Sequence, residues 1–118
     1  MKDETSREER VARNELAFRQ ANESLRAVFE DASSGDADET YPFLCECGER
    51  LCTDVVPVSL AAYTAVRAHP ARFVILPGHK QLDSERVIEE TAGYEVVEKS
   101  GVAGEIARNA WVQLGPKT

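Results

Sequence analysis

All three cysteines of the chain, Cys45, Cys47 and Cys52, fall within eight positions, in the stretch Phe43-Leu44-Cys45-Glu46-Cys47-Gly48-Glu49-Arg50-Leu51-Cys52. Cys45 and Cys47 are two residues apart, so on an extended strand both sulfurs lie on one face. Gly48 permits a tight turn that brings Cys52 back toward them. Three thiolates converging in this way could hold one metal ion. Zinc takes four sulfur or nitrogen ligands in a tetrahedron, so a fourth donor is needed from elsewhere. His79 is the first choice, because Pro77-Gly78 presents it on a turn. His69, just past a helix, comes second. Asp54, Glu49 or a water comes third.

Other chemistries are weighed against this one. Cys-x-Cys-x4-Cys is not the common Cys-x2-Cys knuckle, and only one cluster is present. Three reduced thiols packed as small hydrophobes are the plain alternative. A reactive thiol calls for a positive neighbour or a helix N-terminus. Arg50 is adjacent, but Glu46, Glu49 and Asp54 crowd the same region, which suits a cation better than a nucleophilic thiolate. If the fourth ligand were water, Glu46 or Glu49 would be the general base of a hydrolytic site. No His-Glu-x-x-His, phosphate-cradling glycine loop or Ser-His-Asp set accompanies it. His69 and His79 also read as plain loop residues.

The elements that must position these residues follow from patterning. Residues 6–30 read as an amphipathic helix, with a capping-box pair Ser6/Glu9 and the i,i+4 pairs Glu9–Arg13 and Glu15–Arg19. Val11, Phe18 and Leu25 recur every seven residues, with Asn14, Ala21 and Val28 between them. This stripe either folds back onto its own domain or engages a partner or second copy. Residues 31–40 lack any large apolar side chain and read as a flexible acidic linker, which makes the helix an appendage. Tyr41–Glu46 and Thr53–Val58 read as a hairpin with the cysteines at its tip, Pro57 marking a sheet edge. Ser59 caps a helix, Leu60–Ala68. Arg72–Leu76 reads as a buried strand and Pro77-Gly78 as a turn. A helix capped by Asp83 or Ser84 is expected to run to about Thr91. Tyr94–Lys99 is a last strand, Gly101–Ala107 a short helical turn, and 109–118 a tail in which Trp111, Val112 and Leu114 could pack back.

The expected fold is therefore α+β: an N-terminal amphipathic helix (1–30), an acidic linker (31–40), a small β-β-α-β-α-β metal-stapled domain (41–108) and a tail (109–118). A core of about 65 residues is marginal without a staple.

Charge adds partner information. The net charge is −7. Residues 31–58 hold one basic and seven acidic side chains, so nearly all the acidity sits in the linker and hairpin. That balance argues against nucleic acid as a general partner. No apolar run approaches the roughly 20 residues of a membrane span. The N-terminal residues are charged and hold no apolar h-region, so no signal peptide is expected. Three cysteines without an export signal point to a reducing cytoplasm and to metal or catalytic thiols rather than disulfides.

Beyond these local readings, the chain resembles a family of small bacterial proteins of high-GC actinobacteria with no established activity. The resemblance is carried by Asn14-Glu15, Phe18-Arg19, Asn22-Glu23, Phe43-x-Cys45-Glu46-Cys47-Gly48, Cys52 and Leu60–Arg67. It continues through Arg72-Phe73, Pro77-Gly78-His79, Glu85-Arg86-Val87, Tyr94-x-Val96-Val97-Glu98-Lys99 and Gly101-x-x-Gly104. It implies a bacterial cytoplasmic protein and joins the three cysteines and His79 in one pattern, but supplies no function.

The expectation is a non-enzymatic, zinc-stabilised protein-interaction or regulatory module. Its helix and acidic surfaces would engage a protein partner or a second copy. A DNA-associated regulator using Arg7, Arg10, Arg13 and Arg19 is the first alternative, and a thiol- or metal-dependent enzyme the second.

Overall fold

The computed structural model describes residues 3–49, 51–82 and 84–114. The chain order is α1 (Asp3–Ala32), β1 (Thr40–Leu44), β2 (Val55–Ser59), α2 (Leu60–Arg67), β3 (Arg72–Ile75), β4 (Glu85–Glu90), β5 (Glu95–Lys99) and α3 (Gly101–Leu114). The class is α+β, as the sequence indicates. β1 and β2 form an antiparallel hairpin, and β3-β5-β4 an antiparallel three-stranded sheet.

The hairpin buries alternate residues. Phe43, Val56 and Val58 are fully buried, while Pro42 and Pro57 face each other across the pair and are exposed. Proline lacks an N–H, so this pair occupies a site whose amides point away from the partner strand. Both free edges of the hairpin thus lose a donor, which protects them against strand addition. Ser59 ends β2 and caps α2, its hydroxyl accepting from the Ala62 amide at 3.1 Å.

Two elements depart from expectation. The stretch expected as a helix to Thr91 is strand β4, paired with β5. Its register shifts between Val87 and Glu89, a bulge that leaves Ile88 unpaired. Thr91 closes the turn to β5: its hydroxyl accepts from the Gly93 and Tyr94 amides and donates to the Tyr94 carbonyl. Asp83, named as a cap, lies outside the described residues. The second departure is α3, which continues through Leu114 instead of ending near Ala107. Trp111, Val112 and Leu114 belong to its last turns, but their side chains lie outside the described ones. Helix α1 begins at Asp3, so Ser6 sits within it rather than at its cap.

The long helix is not an appendage. It folds back on its own domain along a face that shares Val11 with the Val11–Phe18–Leu25 stripe but is rotated toward Glu15 and Arg19, leaving Phe18 and Leu25 half-buried. Val11, Ala12, Glu15, Arg19 and Asn22 are its buried residues among the described side chains, whereas Val28 is 60% exposed. Phe29 anchors the C-terminal half. Its ring stacks on Tyr41 and meets Phe43 edge-on, each at 5.1 Å, and Phe43 stacks on Tyr63 at 4.3 Å. In the N-terminal half, Val11 and Ala12 cluster with Leu82 and Ile106, and Leu16 packs on the main core; polar contacts complete the docking. The Arg19 guanidinium lies 5.0 Å above the Phe73 ring and donates to the carbonyls of Pro70, Arg67 and His69. Glu23 pairs with Arg67. Glu15 meets Lys99, which also pairs with Glu85; all three side chains are buried. Burial is the largest influence on Glu15 and raises its pKa well above the usual range, although Lys99 opposes it. Burial acts the same way on Glu85, but the Glu15 hydrogen bond and the Lys99 charge outweigh it and hold Glu85 low. The two carboxyls facing the one Lys99 ammonium are thus pushed in opposite directions, Glu15 up and Glu85 down.

Candidate metal centre

The four residues singled out from the sequence meet at one place. Cys45 directly follows β1, Cys47 lies in the turn, Cys52 precedes β2, and His79 sits on the turn after β3. One ligand atom from each lies within 4.8 Å of all the others, and this group could hold a metal ion.

Local geometry explains the convergence. Gly48 has φ +83, a left-handed conformation that reverses the chain directly after Cys47. A Cβ at Gly48 would stand 2.6 Å from Val11 Cγ1 and 2.8 Å from the Val11 carbonyl oxygen. Only glycine therefore fits between the cysteine turn and α1. Asn14 completes this contact, donating to the Gly48 carbonyl at 3.1 Å. On the opposite side, Gly78 has φ +83. It forms the turn that the His79 amide closes on the Leu76 carbonyl at 3.1 Å. His79 Nδ1 then lies 3.6 Å from Cys45 Sγ and 3.8 Å from Cys52 Sγ. A tetrahedral ion with metal–sulfur bonds of about 2.3 Å and metal–nitrogen bonds of about 2.0–2.1 Å places nitrogen about 3.6 Å from each sulfur. The observed separations fit that figure.

The backbone is arranged for negative sulfur. The Leu76 amide donates to Cys45 Sγ at 3.3 Å. The amides of Glu49 and Asp54 favour the thiolate forms of Cys47 and Cys52. A hydrogen bond to the charged form of an acid favours that form. Without an ion, the three thiols compete for one charge. The Cys45 hydrogen bond, foremost, lowers Cys47 to about 5 against the effect of burial. The same bond and then burial push Cys45 up, and burial pushes Cys52 up. The low thiolate, Cys47, is 1% exposed. A nucleophile needs access, whereas a metal ligand does not.

The residue between the first two cysteines has a structural role that its sequence neighbourhood did not suggest. Glu46, considered as a general base, points away from the cluster into the core. Its carboxylate accepts from Tyr63 Oη at 2.6 Å, Asn22 Nδ2 at 2.8 Å and the Val74 amide at 2.9 Å. Burial raises its pKa, opposed by these three bonds and by Arg19. Its own amide donates to the Val74 carbonyl at 2.8 Å. Glu46 thus imitates a strand along β3 and joins the hairpin to the three-stranded sheet. Asn22 holds the other side, bonding both the amide and the carbonyl of Leu44. The signal was present in the sequence. Asn14, Glu15, Arg19, Asn22 and Glu23 recur at helical spacing, and each makes a long-range polar contact.

The other proposed ligands are not assembled. His69 is exposed at the end of α2, where its carbonyl accepts from Arg19. Glu49 is exposed, and its carboxylate accepts from the Leu51 amide. Asp54 lies beside the cluster, its Oδ2 3.9 Å from Cys52 Sγ. Arg50 falls outside the described residues. Of the arginines considered for DNA contact, Arg19 is 6% exposed. Arg7 donates to the Gln81 carbonyl. A cleft of about 380 Å³ opens on Cys52 and His79, bounded also by Leu51, Asp54, Gly78 and Gln81. No helix among the described residues is long and apolar enough to cross a membrane.

Comparison of the chain with protein-family models, curated proteins and solved structures gives no match.

Proposed function

We propose that the chain is a zinc-stabilised, non-enzymatic protein-interaction or regulatory module that works in the cytoplasm. The observation that carries this reading is the convergence of three sulfurs and one imidazole nitrogen within 4.8 Å of one another, with nitrogen 3.6 and 3.8 Å from two of the sulfurs. Three soft thiolates and one imidazole suit zinc. The residues that would hold it are Cys45, Cys47, Cys52 and His79. An ion with these four ligands has no open position, which supports a structural role over a catalytic one. When bound, it ties the hairpin to the turn after β3. Metal binding and folding are then linked, because the site exists only in the folded chain.

The partner-facing surface is the outward row of α1. Ala17, Ala21, Ser24, Ala27 and Val28 are exposed along it. Residues at this spacing share one helical face. The 30 residues of the helix span about 45 Å at 1.5 Å per residue. The small side chains on that row suit the approach of another helix, from a partner protein or a second copy. Nucleic acid is disfavoured by the net charge of −7 and by the internal engagement of Arg7 and Arg19.

Light scattering of the zinc-loaded chain and of Ala21→Arg tests the helix surface. Self-association predicts a dimer mass that falls to a monomer mass in Ala21→Arg, with zinc content unchanged. A monomer in both removes the second copy as the occupant.

A further inference from the structure

The three cysteines are not equivalent toward solvent. Cys45 and Cys47 are each 1% exposed. Cys52 is half-buried, and it is the one cysteine on the cleft of about 380 Å³. The cleft walls are small or polar at this point, Thr53, Gly78 and Gln81 among them. A small reagent entering it therefore meets Cys52 and His79 before either inner sulfur. Both inner sulfurs lie within 4.8 Å of Cys52 Sγ, near enough for a disulfide after local adjustment.

We propose that Cys52 is an oxidation site for small hydroperoxides, through which the cluster is opened and its metal released. The inference rests on the zinc reading above. The Cys52 thiolate attacks the distal oxygen of the hydroperoxide. The S–O bond forms as the O–O bond breaks, and the alkoxide or hydroxide leaves and takes a proton from water. The sulfur is oxidised by two electrons to a sulfenic acid. An inner thiolate then attacks that sulfur and displaces hydroxide, giving a disulfide. Two thiolate ligands are consumed, and the ion departs from a site left with one cysteine and His79.

The consequence passes directly to α1. Gly48 packs against Val11, and Asn14 bonds the Gly48 carbonyl. Asn22 bonds both backbone groups of Leu44, one residue before Cys45. A hairpin reshaped by the disulfide no longer presents these backbone groups in register, and α1 loosens between Val11 and Asn22.

The test treats the zinc-loaded full chain with limiting hydrogen peroxide in the presence of dimedone. Peptide mass mapping locates the sulfenic acid adduct, and a chromogenic chelator follows free zinc in a parallel sample without dimedone. The expected first adduct is on Cys52, and zinc appears in step with a disulfide that includes Cys52. A first adduct on Cys45 or Cys47, zinc retained after the disulfide forms, or no oxidation under peroxide that oxidises the denatured chain would each overturn the proposal. The metal content of the starting protein is measured first. A chain that binds no zinc refutes the zinc reading instead, so the two failures are distinguishable.

Discussion

Gly48→Ala is the sharpest probe of how the cysteine turn sits on α1. Two separate costs apply. The first is conformational: φ is +83, and a residue with a Cβ costs roughly 1–2 kcal/mol in the left-handed region. The second is steric. The new methyl would meet Val11 Cγ1 at 2.6 Å, Glu15 Cγ at 2.8 Å and the Val11 carbonyl oxygen at 2.8 Å. The carbonyl is helix backbone, so it yields only if α1 shifts. Overpacking of this kind costs typically about 1–3 kcal/mol. The sum is about 2–5 kcal/mol, a large fraction of the roughly 5–15 kcal/mol that stabilises a domain. Gly35→Ala supplies the control. Its φ is +88, yet nothing lies within 4 Å of the added Cβ, so it carries the conformational cost alone. Urea unfolding of both variants, zinc-loaded and at equal metal concentration, reads the difference between them as the packing contribution. Equal midpoints for Gly48→Ala and Gly35→Ala would show that the hairpin does not rest on α1 as described.

Two further predictions concern the polar clamp. With Glu15 raised and Glu85 held low, Glu15→Gln is expected to cost less neutral-pH stability than Glu85→Gln. Glu85→Gln removes the charge facing Lys99 and is expected to cost up to about 3–5 kcal/mol; equal costs for the two would contradict the assignment. The Glu85 contribution is present above the unfolded value of about 4.3 and is lost as pH falls through its lower folded value. The gap between wild type and Glu85→Gln in urea unfolding should therefore close at acid pH. The raised Glu15 acts with the opposite sign. Its contribution is full below about 4.3 and is lost as pH rises through its folded value, so Glu15→Gln should flatten that part of the profile. Asn22→Ala leaves the part-buried Leu44 amide and the buried Glu46 carboxylate short of partners and is expected to cost about 1–3 kcal/mol, chiefly from the Glu46 side; thermal melting checks it, and an unchanged midpoint would refute the bridging role.

Much of the site was legible because its signals are local. The cysteine spacing, Gly48, the Ser59 cap and the Pro77-Gly78 turn each fix a conformation over a few residues, and together they place Cys45, Cys47, Cys52 and His79. The hairpin and α2 were equally readable, to within two residues at their ends. β4 was not, because its bulge at Ile88 breaks the two-residue alternation and lets Leu82, Val87 and Ile88 pass for a helical face. The paired β-branched residues and the Thr91-to-Tyr94 turn were the available signals for a β4–β5 hairpin. The docking face of α1 was hidden for a different reason. Apolar periodicity points to Val11, Phe18 and Leu25, but of these only Val11 is fully buried, and it shares the docking face with Ala12, Glu15, Arg19 and Asn22. Buried polar groups can be located only when their partners are known, and those partners are 22 to 84 residues away in the chain.

The decisive measurement is metal analysis of the purified, reduced chain. One zinc per chain is expected, lost in Cys47→Ser and weakened in His79→Ala. Fresh, reduced protein that binds no zinc, or that keeps it in Cys47→Ser, would overturn the zinc assignment.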